Sequence, residues 1–221
     1  HINAPRITIY KRSGDTFTKL ANPASLPTAT ANNCIFSKDG TYLAVVYGAS
    51  PYVIIYKRSG DTFTKLADPA SLPAGISYGC SFSPDGTYLA VSHTTSPYMT
   101  IYKRSGDTFT KLSDPATLPS DTGYDCHFSN DGNYLAIALN TTPTVAIYKR
   151  SGDTFTKLAD PATLPTGSGS DCAFSPDNRY LAVSHGNTPY VTVYKRNVDT
   201  FTKLANPATL PTATANNCIF S

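Results

Sequence analysis

Acid–base or nucleophilic chemistry in this chain would fall to Asp, His, Cys and Tyr, because the sequence contains no Glu and all 15 acidic residues are Asp. An Asp pair or an Asp–His couple is the usual equipment for general acid–base work. Most of the Asp, however, stand in turn text such as Pro84-Asp85-Gly86 and Ser59-Gly60-Asp61, where the habit of hydrogen-bonding nearby backbone explains them. The histidines are His1, His93, His127 and His185. Three of them share one column of a repeat, a spacing that distributes them around a ring and away from the convergent tetrahedral geometry of zinc. No catalytic residue, metal or cofactor is expected. The cysteines, odd in number, stand at 34, 80, 126, 172 and 218. Symmetry-related residues would have to approach to about 4.4–6.8 Å between Cα atoms to bridge, so they read as small buried hydrophobes. Buried thiols suit a reducing cytoplasm and survive at a virion or cell surface, and the first residues carry neither Met nor a signal-type segment. The chain is therefore not expected to start where translation does.

The cysteine spacing is an invariant 46 residues, and the text around it recurs: Ile55 to Leu66 reappears unchanged at 101–112 and 147–158. Each repeat must then be one supersecondary unit. In the second copy four strand-like stretches alternate with turn chemistry. Strand a is 80–83, strand b 88–92, strand c 98–103 and strand d 108–112; Pro84-Asp85-Gly86 and Ser105-Gly106 supply tight turns. Asp114-Pro115-Ala116-Thr117-Leu118-Pro119 carries two prolines and can only connect. Asn178 replaces the turn glycine in the fourth copy and tolerates the left-handed region. Val198, which replaces the hairpin glycine, fits worse, so a distorted turn is expected there. The composition, rich in Tyr, Val, Ile, Thr, Phe, Pro and Gly, agrees with an all-β chain, and no apolar run approaches the roughly 20 residues of a membrane span.

Four antiparallel strands per unit of this length match a β-propeller blade. Phe82 to Val91 resembles the a-to-b hairpin of WD-repeat and related bacterial or phage propeller blades, and Val191-Thr192-Val193-Tyr194 resembles their strand c. The Trp-Asp dipeptide of that family is replaced by Tyr56-Lys57 and its Gly-His pair is absent, so its Asp–His hydrogen bond does not transfer. The resemblance implies a single propeller array over 1–221, with partial blades at 1–20 and 218–221 and blades at 34–66, 80–112, 126–158 and 172–204. Phe36, Phe82, Phe128, Phe174 and Phe220 are expected to form blade-to-blade core. Five copies of a, c and d but only four of b can be counted, so one blade lacks its strand b. An open blade exposes an edge, and from this the chain is expected to be a window on a longer array or to self-associate through the incomplete blade. Near identity of the copies indicates recent amplification or design.

Differences between copies concentrate in the d-to-a and b-to-c connections, which lie on one face of such a disc, while the Pro-Asp-Gly turns and Lys-Arg-Ser-Gly-Asp hairpins opposite are nearly constant. Variable loops on a constant scaffold suggest a binding face. Its candidate residues are Asn32, Asn33, Tyr47, Tyr78, His93, Tyr124, Asp125, Asn140, Ser170, Asp171, His185 and Asn187. The expected function is a non-enzymatic scaffold that binds a protein or glycan there. The alternatives are a lactonase-like propeller enzyme or a purely structural repeat; some bacterial propellers of similar blade text are lactonases, but their acidic metal ligands have no counterpart here. The Lys-Arg pairs at 11–12, 57–58, 103–104, 149–150 and 195–196 are each followed by an Asp, and the formal net charge is only +3. A locally neutralised rim is expected, with no nucleic-acid and no membrane partner.

Overall fold

The 46-residue period becomes four four-stranded antiparallel sheets, each in sequential strand order. The computed structural model describes residues 3–221, so His1 lies outside the described residues. A two-stranded sheet comes first, β1 (Tyr10–Ser13) with β2 (Thr16–Lys19). The complete sheets follow: β3 (Ala31–Phe36), β4 (Tyr42–Tyr47), β5 (Val53–Ser59) and β6 (Thr62–Lys65); then β7 (Ser77–Phe82), β8 (Tyr88–His93), β9 (Met99–Ser105) and β10 (Thr108–Lys111). The third comprises β11 (Gly123–Phe128), β12 (Tyr134–Leu139), β13 (Val145–Ser151) and β14 (Thr154–Lys157), and the fourth β15 (Gly169–Phe174), β16 (Tyr180–His185), β17 (Val191–Asn197) and β18 (Thr200–Lys203). No helix occurs among the described residues. Successive sheets pack through their first strands, β3 on β7, β7 on β11 and β11 on β15, which is the arrangement of a β-propeller with four-stranded blades.

Strand b is central in each blade and covered on both faces, which explains its continuous apolar text. Every residue of β4, β8 and β12 is buried. Strand d is an edge, and its Thr-Phe-Thr-Lys buries only the Phe in the four complete blades. Short length and a charged, half-buried Lys blunt that edge against further pairing. The strands start or end differently from their sequence limits: strand a begins three residues before the Cys and strand b runs on to residues 47, 93, 139 and 185. The ladder continues as far as partners remain, and Ser77↔His93 closes it. The last segment, 218–221, forms no strand, because no strand b lies beside it to supply ladder hydrogen bonds.

Blades are joined by an aromatic and ionic latch. Phe82 packs edge-on against Phe109 of its own blade, and Tyr42 of the preceding blade meets the same Phe109 at 5.8 Å between centroids. The Tyr42 hydroxyl donates to Asp107 at 2.7 Å, Lys57 Nζ reaches the same carboxylate at 2.8 Å, and the Arg104 guanidinium lies 4.9 Å over the Tyr42 ring. The same set recurs around Tyr88 with Asp153, and around Tyr134 with Asp199. The rim lysines Lys11, Lys57, Lys103 and Lys149 are therefore neutralised across the blade boundary, by the hairpin of the next blade, and not by the Asp of their own hairpin. Phe82, Phe128 and Phe174 are core as expected, whereas Phe36 is exposed. Cys80, Cys126 and Cys172 are buried, but Cys34 is exposed. Asn178 takes φ +61° in place of Gly. Val198 keeps the turn of its glycine counterparts at φ +50°, so the expected distortion appears as backbone strain on an unaltered turn.

Candidate functional site

Each strand a carries a register shift, at Ala31/Asn33, Ser77/Gly79, Gly123/Asp125 and Gly169/Asp171. Such bulges re-aim side chains and are common beside functional sites. Here they bring residues from all five repeats to one cavity of about 440 Å³, lined by Asn32, Asn33, Tyr78, Tyr124, Asp125, Ser170, Asp171, Asn216 and Asn217. These are the two positions preceding each Cys, so the cavity is the mouth at the centre of the ring. The one such position missing from the lining is Gly79. A Cβ there would lie 2.6 Å from the Asp125 Cα and 2.6 Å from its Oδ1, so this glycine makes room for Asp125.

Asp125 and Asp171 are both buried. The Asp171 carboxylate accepts the Cys218 N–H at 2.7 Å, and Asp125 Oδ2 faces the Cys172 N–H at 3.5 Å and its thiol at 3.8 Å. Each thus reaches into the following repeat. Burial, then the hydrogen bond and charge of Asp171, push the Asp125 carboxyl well above the usual carboxylate range. A second carboxylate in the same low-dielectric site disfavours the charged form of Asp125 in the same direction as its burial does. Beside the pair, the Tyr78 and Tyr124 rings lean together at 5.4 Å and 47°. Asn32 Nδ2 donates to the Ser77 carbonyl at 2.8 Å, which ties the mouth to the next blade.

Seven of the twelve expected residues therefore meet: Asn32, Asn33, Tyr78, Tyr124, Asp125, Ser170 and Asp171. Five do not. Tyr47, His93 and His185 are buried at the end of strand b, because the ladder extends past the point where a loop was expected; they are packing residues. His93 and His185 hold Thr100 and Thr192 at 3.0 Å through Nε2. Asn140 bonds Asp121 and Asn187 bonds the Thr166 carbonyl, so both brace their own loop pairs. Asn216 and Asn217 join the mouth without having been expected there. Their signal is present in the sequence, since Thr200–Ser221 repeats Thr16–Ser37 almost unchanged and so copies Asn32-Asn33. Among the described residues no group of three His, Cys or Asp side chains is disposed to hold a metal ion.

No protein-family model and no curated protein sequence matches the chain. Its fold does match solved structures. A Bacteroides uniformis protein provisionally assigned as a 6-phosphogluconolactonase superposes with TM-score 0.73 at 17% identity, over 94% of this chain and 66% of that one. A periplasmic gluconolactonase of Pseudomonas aeruginosa gives 0.69 at 18% identity, over 93% and 64%. Hydrazine synthase of Kuenenia stuttgartiensis gives 0.67 at 15%, over 86% and 57%. The chain thus spans slightly less than two thirds of the length of the first of these, and at such identities the likeness establishes the propeller fold. The expected non-enzymatic scaffold is corrected by this comparison: two of these similar structures are described as sugar lactonases, so the lactonase-like alternative has the better support.

Proposed function

We propose that the central mouth hydrolyses a neutral sugar lactone, with Asp125 and Asp171 as its acid–base pair. The observation that carries this reading is the pair of buried aspartates on the wall of one polar cavity. Water attacks the lactone carbonyl as Asp171 takes its proton. The acyl–oxygen bond of the ring then breaks as Asp125 gives its proton to the departing ring oxygen, leaving an open hydroxy acid. The proton now on Asp171 returns to Asp125 across the pair. Paired carboxyls in unlike environments divide acid and base roles in this way. The asparagines and Ser170 offer hydrogen bonds to hydroxyls, and the Tyr78–Tyr124 pair offers an apolar face for a sugar ring. Among the described residues no Lys or Arg lines the mouth, so a phosphorylated sugar would meet two acidic groups with no counter-charge. This distinguishes the proposed substrate from the phosphorylated one implied by the description of the Bacteroides protein. The finer kinship to WD-repeat and phage blades rests on the hairpin text Phe82–Val91 and the strand text Val191–Tyr194 and carries no part of this reading.

The test is the initial rate of opening of glucono-δ-lactone and of its 6-phosphate, against buffer. The neutral lactone is expected to open faster than in buffer. Asp125→Asn or Asp171→Asn should each cost about 100-fold or more, the scale of general acid–base catalysis. Rates equal to buffer for the wild type would refute the proposal.

A further inference from the structure

The acid–base pair leaves one titratable group on the channel wall unused. His127 lies two residues beyond Asp125 on β11, on the same face of the strand, and is half-buried. In an antiparallel ladder only every second residue exchanges hydrogen bonds with its neighbour. Just past β15 the Ser175 N–H donates to the Tyr180 carbonyl of the adjacent strand, so the N–H groups of Cys172 and Phe174 point the other way, into the channel. Asp125 Oδ2 faces the Cys172 N–H and His127 Nδ1 accepts the Phe174 N–H, both at 3.5 Å. An imidazole that covers such an N–H lies in the channel itself. It stands one step below Asp125, about 7 Å for two residues of strand.

That contact also fixes the tautomer. The Phe174 N–H can only donate, so Nδ1 is the bare nitrogen and Nε2 carries the imidazole proton. Among the described residues Nε2 bonds no other group, and unlike Nδ1 of His93 and His185 it is not sealed from solvent. The ring packs on Phe174 at 6.3 Å and 37°, which holds its plane. Its counterparts in the repeats on either side are Ser81 and Ala173, both small, so space is left beside it. Burial pushes the imidazole below its usual 6.5, more than the Asp171 charge pulls it up. At neutral pH it is therefore an uncharged donor.

We infer that His127 is the oxyanion donor of this site: its Nε2–H hydrogen-bonds the carbonyl oxygen of the lactone while Asp171 and Asp125 act on the water and the ring oxygen. The inference rests on the hydrolytic reading given above. As the water oxygen bonds to the carbonyl carbon, the π pair of the C=O bond moves onto the carbonyl oxygen. That charge develops near two carboxyl groups, and among the described residues no Lys or Arg lines the mouth to offset it. A fixed, neutral N–H aimed at the oxygen stabilises it without giving up a proton. The pair then re-forms the C=O bond as the ring oxygen leaves with the proton of Asp125. A lactone lying along the wall spans the step from the aspartate pair down to His127.

The experiment uses the whole chain and glucono-δ-lactone. His127→Ser removes the Nε2 donor yet keeps an acceptor for the Phe174 N–H, as Ser81 does for Phe128 at 3.1 Å. It should lower kcat about 100-fold, the scale of losing one oxyanion donor, and leave KM within about threefold, since the bond strengthens only in the transition state. His127→Gln, which returns an N–H at the depth of Nε2, should recover at least about tenfold of that loss. Circular dichroism and Tm verify folding; should the Ser variant not fold, His127→Ala replaces it, because the fourth repeat already carries Ala173 at this position. Nitrogen NMR of the wild-type imidazole at pH 7 is expected to show the proton on Nε2. A wild type that opens the lactone no faster than buffer overturns the hydrolytic reading and this inference with it. An active wild type matched by His127→Ser, or an imidazole protonated on Nδ1 at pH 7, overturns the role of His127 alone.

Discussion

Acid should act on this protein through a buried imidazole, and the repeat supplies its own control. His93 is fully buried, its Nε2 is held by Thr100, and its Nδ1 has no hydrogen-bond partner. Burial lowers its pKa from the usual 6.5 to about 4. The unfolded chain therefore takes up a proton at a pH where the folded chain does not, so stability from this group is intact above about pH 6.5 and is lost as pH falls toward 4. Each unit of separation is worth about 1.4 kcal/mol, so linkage gives a loss of about 2 kcal/mol at pH 5 and about 3 kcal/mol at pH 4. The third blade has Leu139 and Ala146 where the second has His93 and Thr100, both buried. Transplanting that pair as His93→Leu with Thr100→Ala removes the titrating group while supplying a pair that already packs in this fold. Urea unfolding from pH 7.5 to pH 4.5 should show the double variant losing about 2 kcal/mol less than wild type by pH 5. Parallel pH curves, or a steeper loss in the variant, would refute the reasoning.

Gly79→Ala should lower stability by about 1–3 kcal/mol, the usual cost of overpacking, because its Cβ would strike the Asp125 backbone; thermal melts measure it. Val198→Gly should raise stability by about 1 kcal/mol, since a β-branched residue at φ +50° pays the left-handed penalty; a lower Tm would contradict this. Tyr88→Phe, which removes the hydroxyl donated to Asp153 at 2.5 Å, should cost about 1–2 kcal/mol, read as a shift in urea midpoint. By contrast, Lys103→Ala should change that midpoint little, because its ion pair with Asp153 is solvent-exposed.

The blade was legible because a fixed period and local turn chemistry are properties of sequence alone. Asn178 can be assigned to its turn from residue type and position, since few other non-glycine residues accept that backbone. What the sequence hid was where side chains go at strand ends. His93 and Tyr47 look like loop residues until the ladder is seen to extend one pair further, and a bulge in strand a, invisible in an alternating pattern, is what turns Asp125 and Asp171 toward one cavity. The Asp pair was seen residue by residue but not as a pair, because their adjacency belongs to neighbouring blades 46 residues apart. The latch was hidden for the same reason: Lys57 has Asp61 close by in sequence, yet its partner is Asp107.

The central claim is that burial and the neighbouring Asp171 raise the Asp125 carboxyl well above the usual carboxylate range, which suits it to give a proton to a leaving oxygen. Carbon NMR of the aspartate carboxyls through a pH titration tests this most directly. One of the 15 carboxyl resonances should titrate well above the ordinary carboxylate range in the wild type and be missing from the Asp125→Asn variant. If all 15 lose their protons in the ordinary carboxylate range, the Asp125 carboxyl is not raised, and the acid–base account of the mouth is contradicted.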